Sequence, residues 1–383
     1  IKKHYLRIYQ ELHHINLQRS QPVPLVIPKM VVVFIMKQRT VVNQYGSEIT
    51  LMMIEYLKKR NAPFLRCSNN NDVIIATKRK EVKALIDAGD GHIPRRQIHW
   101  VERPVGQGMR KKALTRWRSS HQFLAECCRT GQPISRIIVV GAPLELMAWR
   151  SPLLRRPLRS ITTRIYITDT EVNHIANKLA LKSATHVVVP TRWDSSIDGD
   201  FIVKARAKGL NILSLNGLHG HVHLTPGIYS PTVANPPKIM VRELLGDGIH
   251  DSDEIIPIPS EILDGLSITR ADEDRYDGNP WALDRELAKH DGVITQSVTL
   301  ASEAALLGTP TLLVSAAKRG FLSRLSENGY PLFVWNKACK GDEWKNLYAQ
   351  FLAGIHLRDA IETSQWPNAK SQLAEFLNMK LID

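Results

Sequence analysis

Ser297, Thr299 and Glu303 have the types and the spacing of an anion site with a diol acceptor one helical turn deeper. Residues 291–295 are a short apolar run, read as a buried parallel strand. Residues 296–299, beginning with Gln296, are a polar turn, with Thr299 as the expected N-cap. Residues 300–307 are rich in good helix formers, Gly308 can end the helix in the left-handed conformation, and Pro310 prevents its return. Residues 311–315 form the next apolar run. A strand, turn and helix in this order aim backbone N–H groups and hydroxyls at one point above the strand ends, where an anion binds. Glu303 stands one turn into that helix and can accept two hydrogen bonds from a sugar diol.

A second group of candidates follows the expected strand 164–167. Asp169 and Glu171 stand at its carboxyl end, ahead of a helix running to about Ser183. Val172, Ile175, Ala176, Leu179, Ala180 and Ser183 share one face of that helix at a period of 3.6, and Glu171, His174 and Lys178 share the opposite one. Ligands of open α/β sheets sit beyond the carboxyl ends of strands, so these two acids are candidate general bases. Acids also stand at helix N-termini because the dipole favours them there. Gly106, Gly108 and Lys111 lie in a glycine-rich, cationic loop that can hold a phosphate or an acceptor, without the spacing of a P-loop. Arg242 ends the expected strand 239–242 and precedes His250 and Asp251. On a strand, His219, His221 and His223 would point the same way and could bind zinc. No acidic or cysteine partner stands near them in sequence, so an exposed loop, or one lining a cleft, is the preferred reading.

The elements that would position these residues alternate. Strands are expected at 30–35, 63–66, 72–76, 97–101, 136–140, 164–167 and 185–189, and helices at 47–60, 81–87 and 113–128. This alternation predicts an α/β fold with parallel sheets. At 383 residues the chain suits two domains. The expected division is an N-terminal extension over 1–28, a first Rossmann-like domain over 29–210, and a second over 211–383 ending in a helix from about residue 372. The two domains would face each other across a cleft.

Charge separates the halves. Residues 1–190 hold 32 Lys and Arg against 12 Asp and Glu, a net of +20, whereas residues 191–383 hold 19 against 25, a net of −6. The basic half suits a polyanionic acceptor, an anionic membrane surface or nucleic acid. The arginine-rich run 149–164 has Trp149 as its only aromatic residue apart from none interleaved further on, and no nucleic-acid motif occurs, so no nucleic acid is expected. The four cysteines, Cys67, Cys127, Cys128 and Cys339, lack metal-ligand spacing and predict reduced thiols in a cytoplasmic setting, with peripheral membrane contact allowed by the basic half. No run reaches the roughly 18 apolar residues of a membrane span.

The blocks 290–317 and 164–193 resemble GT-B glycosyltransferases and UDP-N-acetylglucosamine 2-epimerases. Within that superfamily the chain most resembles an uncharacterised bacterial and archaeal family of GT-B-like proteins. The resemblance implies that Ser297 and Thr299 face a diphosphate, that Gln296 belongs to the same nucleotide-sugar site, that Glu303 binds the ribose, that Arg242 contacts the diphosphate, and that Asp169 or Glu171 is the general base. Ser297 and Val298 stand where the superfamily usually has glycines, and the stretch between Arg242 and Asp291 is shorter than usual. The implied activity is metal-independent transfer from a nucleotide-sugar, a UDP-sugar, to an anionic or lipid-linked acceptor, with no cofactor. A UDP-sugar 2-epimerase is the alternative within the fold. A non-catalytic binder of RNA or anionic membrane is the alternative outside it.

Overall fold

The computed structural model describes residues 163–168, 170–227, 232–244, 255–271, 283–336, 342–357 and 366–376, and only separate strand and helix segments before residue 163. Strands β1 (Val32–Val33), β4 (Val73–Thr77) and β5 (Ile98–Val101) form a parallel sheet in the order β1-β4-β5. Strands β2 (Thr40–Tyr45) and β3 (Glu48–Ile54) pair antiparallel. A helix is therefore not formed over 48–54, contrary to the spacing of Leu51, Ile54 and Leu57. The contiguous run Ile49, Thr50, Leu51, Met52, Met53 and Ile54 finds a strand partner two residues upstream, and pairing overrides helical periodicity. The expected strand 63–66 lies outside the described residues, and of the expected helix 81–87 only Asp87 is described.

The first well-defined sheet is parallel, in the order β6-β7-β8-β9. Its strands are β6 (Arg136–Val140), β7 (Thr163–Ile167), β8 (His186–Val189) and β9 (Asn211–Ser214). Ile137, Ile138, Val139, Tyr166, Val187 and Val188 are fully buried, which is why these strands read as unbroken apolar runs. Helices α1 (Pro143–Ala148), α2 (His174–Ala180) and α3 (Phe201–Ala207) connect them. β9 pairs with β8 from Asn211 onward, so the first sheet crosses the expected boundary at residue 210 and ends at Ser214.

A five-residue helix, α4 (His219–His223), then leads into the second sheet. That sheet is also parallel, with the order β11-β10-β12-β13-β14. Its strands are β10 (Lys238–Arg242), β11 (Ser267–Arg270), β12 (Gly292–Thr295), β13 (Thr311–Val314) and β14 (Leu332–Trp335). Alternate residues feed opposite layers. Met240, Val293 and Leu313 pack under α5 (Leu283–Ala288), α6 (Val298–Leu306) and α7 (Gly320–Glu327). Ile239, Val241, Ile294, Leu312 and Val314 pack under Phe351 and Ile355 of α8 (Glu343–His356). Burial on both faces holds this doubly wound sheet together, at roughly 1.5–3 kcal/mol per large side chain removed from water.

The last helix, α9 (Ala369–Phe376), leaves the second domain and packs on the edge of the first. Asn216 Nδ2 donates to Asn368 Oδ1 at 2.9 Å, Gln372 Nε2 donates to the Ser214 carbonyl at 3.3 Å, and the Phe376 ring meets His186 edge-on at 5.7 Å. The chain is thus an α/β protein of two Rossmann-like domains, the GT-B arrangement, strapped by its own C-terminus.

Candidate functional site

In an open sheet the order of strands reverses at one point, and the crevice beyond the carboxyl ends there receives the ligand. In the second sheet the reversal lies at β10, between β11 and β12. Arg242 and Thr295 are register partners at the carboxyl ends of β10 and β12. Thr295 Oγ1 donates to the Arg242 carbonyl at 3.1 Å and accepts from the Ser297 N–H at 3.0 Å, which sets the turn. Gln296 is buried and spans the gap. Its Oε1 accepts from the Leu244 N–H and its Nε2 donates to the Ile256 carbonyl, both at 2.8 Å. Gln296 therefore braces the loop after β10, and its amide is committed to backbone instead of ligand.

Ser297, not Thr299, caps α6. Its side chain accepts from the Leu300 N–H at 3.4 Å, and Thr299 falls inside the first turn, half-buried. The helix begins two residues earlier than expected, at Val298, which is half-buried against the core. Gly308 ends the unit in the left-handed region, at φ 81°. The Arg242 Nε is buried and has no hydrogen-bond partner among the described residues. A buried guanidinium N–H in this condition is costly to leave without an acceptor.

Glu303 is 2% exposed. With Thr299, Ser302 and Phe321 it forms the second-domain wall of a crevice whose other wall is Pro190, Leu218, His219 and Gly220. Pro190 follows β8, so the crevice lies between the domains. It encloses about 30 Å³ of free space, room for about two waters. Glu303 Oε1 lies 3.3 Å from His223 Nε2, and both side chains are almost fully buried.

The three histidines lie on a helix, not on a strand or an exposed loop. Helical geometry turns His219 and His223 to one side and His221 away from them. His221 Nδ1 accepts from the Leu218 N–H at 2.8 Å, and its ring meets Trp366 edge-on at 4.7 Å. Burial pulls its pKa down to about 4, so it is neutral at physiological pH. His223 Nδ1 faces the His219 carbonyl at 2.8 Å. No cluster of three or more metal-ligating side chains occurs among the described residues. Gly220 lets α4 approach α6, since a Cβ there would meet Leu306 Cδ1 at 2.5 Å.

Of the two acids after β7, Asp169 lies outside the described residues. Glu171 is fully buried in a seam between the domains. Its Oε1 accepts from the Asp194 N–H of the first domain and from the Gly320 N–H at the start of α7, both at 3.2 Å. Its Oε2 is buried without a hydrogen-bond partner. Burial pushes this carboxyl above the usual range, against the opposing pull of the backbone donors and of the Arg319 charge. The turn is held from below. Tyr166 donates to Asn177 Oδ1 at 2.9 Å, and Asn177 Nδ2 donates to the Glu171 carbonyl at 3.2 Å. A carboxyl with no exposed surface and one oxygen on two amides does not reach an acceptor hydroxyl in this arrangement. Glu171, a candidate general base from the sequence, bridges the two domains in this structure.

The phosphate loop is described only at Lys111, an exposed helical residue, and Gly106 and Gly108 lie outside the described residues, as do His250 and Asp251. The sequence pointed to His223 only as one of three candidate zinc ligands, and did not single out Gly320 or the Asp194 amide, whose signal was an ordinary Arg-Gly pair. No helix among the described residues is long and apolar enough to cross a membrane.

No protein-family model and no curated protein sequence matches the chain. Solved structures match it over nearly its whole length. A putative UDP-N-acetylglucosamine 2-epimerase from Listeria monocytogenes superposes with a TM-score of 0.56 at 10% identity, covering 94% of this chain and 99% of that one. The UDP-GlcNAc 2-epimerase of Methanocaldococcus jannaschii gives 0.55 at 10% identity over 91% and 99%. The S. aureus MnaA structure with UDP gives 0.52 at 9% identity over 92% and 98%. At such identities the likeness establishes the fold.

Proposed function

We propose that this chain binds a nucleotide-sugar, a UDP-sugar, between its two domains and transfers the glycosyl group. The observation that carries the reading is the convergence at the switch point of the second sheet. Thr299 and Glu303 of α6 line the interdomain crevice, and Arg242, whose Nε has no hydrogen-bond partner among the described residues, stands beside Thr295 at the strand ends that lead into the α6 turn. In this reading Arg242, Ser297 and Thr299 offset charge on the departing diphosphate. Glu303 accepts from the ribose diol. Asp169 deprotonates the acceptor hydroxyl, and the basic first half attracts an anionic or lipid-linked acceptor. None of these roles needs a metal.

A second reading, sugar 2-epimerisation, is favoured by two similar solved structures named as UDP-N-acetylglucosamine 2-epimerases. Incubation with a UDP-sugar and no acceptor separates the two, because epimerisation needs no acceptor. The common premise is tested by calorimetry with UDP. Glu303→Gln is expected to weaken binding about tenfold, or about 1.4 kcal/mol, and Arg242→Ala to weaken it at least as much. Unchanged affinity in both variants rules the site out.

A further inference from the structure

The contact between His223 and Glu303 joins two parts of the molecule that the proposed function treats separately. His223 is the last residue of α4, the helix through which the chain passes from the first sheet to the second. Glu303 lies in α6, the helix of the proposed nucleotide site. His223 Nδ1 is 2.8 Å from the His219 carbonyl oxygen. A carbonyl only accepts, so Nδ1 carries a hydrogen and donates. Nε2 then faces Glu303 Oε1 at 3.3 Å, with the two side chains 1% and 2% exposed.

A neutral imidazole with its hydrogen on Nδ1 would turn a lone pair toward a carboxylate oxygen with no water between them. Two acceptors in that position repel. A proton held between Nε2 and Oε1 removes the repulsion and turns the contact into a buried ion pair. The approach of the helices is built for this contact. Gly220, one turn before His223, is where α4 meets α6 too closely for any side chain, with Leu306 Cδ1 at 2.5 Å and Glu303 Cγ at 4.0 Å from a notional Cβ.

We infer that His223 is a positioning residue. Through a proton shared with Glu303 it holds that carboxylate at the crevice wall for the sugar diol of a nucleotide, and it ties the contact to the interdomain linker. This inference rests on the nucleotide-sugar reading. It adds that recognition of the ribose depends on a side chain outside the second sheet, so ribose binding and the path of the linker are coupled.

The test uses the full chain and two probes, UDP and its 2′,3′-dideoxy analogue, which lacks the diol. Wild type is expected to prefer UDP by about tenfold. His223→Leu is expected to reduce that preference to about twofold or less while binding of the dideoxy probe changes little. His223→Gln, whose amide N–H replaces Nε2–H, is expected to keep most of the preference. A lost preference in the leucine variant with rescue by glutamine supports the role. An undiminished preference in the leucine variant overturns it and leaves the nucleotide site standing. Failure of wild type to bind UDP overturns the nucleotide reading and this inference together.

A second measurement does not depend on the ligand or on the folding of the leucine variant. Nitrogen-15 NMR of the imidazole, assigned with His223→Gln, is expected to show both ring nitrogens of His223 protonated at neutral pH and Nε2 losing that proton in Glu303→Gln. An Nε2 signal unaffected by Glu303→Gln refutes the shared proton.

Discussion

Glu303 and Glu171 are both buried carboxyl groups at the junction of the domains, 2% and 0% exposed, and they are provided for differently. Glu303 faces an imidazole that can bring a positive charge and lines a crevice. Glu171 faces two backbone amides, one from each domain, and keeps one oxygen without a partner. An ion pair supports a charged carboxylate, whereas amides that satisfy only one oxygen leave the desolvation of the other uncompensated. That is the physical reason the Glu171 pKa is raised. A charge maintained next to empty space suits ligand binding. A carboxyl whose neutral form burial favours, bridging two domains, suits a latch. Burial alone does not separate the two roles; the identity of the partners does.

The contrast can be broken most severely at the latch. A Cβ at Gly320 would stand 2.3 Å from the Arg192 carbonyl oxygen and 3.0 Å from the Asp194 amide nitrogen, which are backbone atoms with little freedom to move. Gly320→Ala is expected to destabilise the protein by about 3 kcal/mol, read from urea unfolding, and to part the domains in small-angle scattering. At the crevice the matching change is Gly220→Ala. Its obstacle is a terminal methyl of Leu306, which can rotate, and alanine gains helix propensity. The expected loss is smaller, about 1 kcal/mol, accompanied by weaker UDP binding as α4 shifts from Glu303. Equal losses for the two glycines would show that latch and crevice are equally rigid.

The finest test is electrostatic. A carboxyl whose pKa is raised on folding binds more protons in the folded state than in the unfolded state over the interval between its two pKa values. Its contribution to stability is full below the usual carboxylate range and is lost as pH rises through the raised value. Glu171→Gln keeps an oxygen for the two amides and removes the titration. Unfolding free energy followed from about pH 4 to pH 8 is expected to fall less steeply with pH in this variant than in wild type. Parallel slopes would show that Glu171 carries its charge at no cost.

Much of the second domain was legible from local pattern. The sequence from Asp291 to Ser315 contains its own strand signals, a polar turn, a helix-forming run and a glycine that must adopt positive φ, and each local preference agrees with the fold. Even there the cap was misplaced, because Ser297 and Thr299 are both good caps and only packing of Val298 selects between them. The hairpin β2-β3 was missed, although Gly46 and Ser47 stand between its strands as a two-residue turn signal. Leu51, Ile54 and Leu57 also satisfy a helical period, and a short run cannot arbitrate between the two. The histidine helix was unreadable for another reason. Alternate histidines at 219, 221 and 223 suggest a strand, and five residues contain too little periodicity to say otherwise.

The amino-acid order by itself determined the layers of this protein. Unbroken apolar strands must be covered on both faces, and alternating helices can cover them only in a parallel sheet. It also determined which residues could meet an anion at the end of a strand. Only the tertiary structure decided which acid bridges the domains and which lines the crevice. Glu171 finds its amides at Asp194 and Gly320, and Glu303 finds its imidazole at His223. Those partners lie far away along the chain, and the electrostatic character of a carboxyl is set by what surrounds it in space.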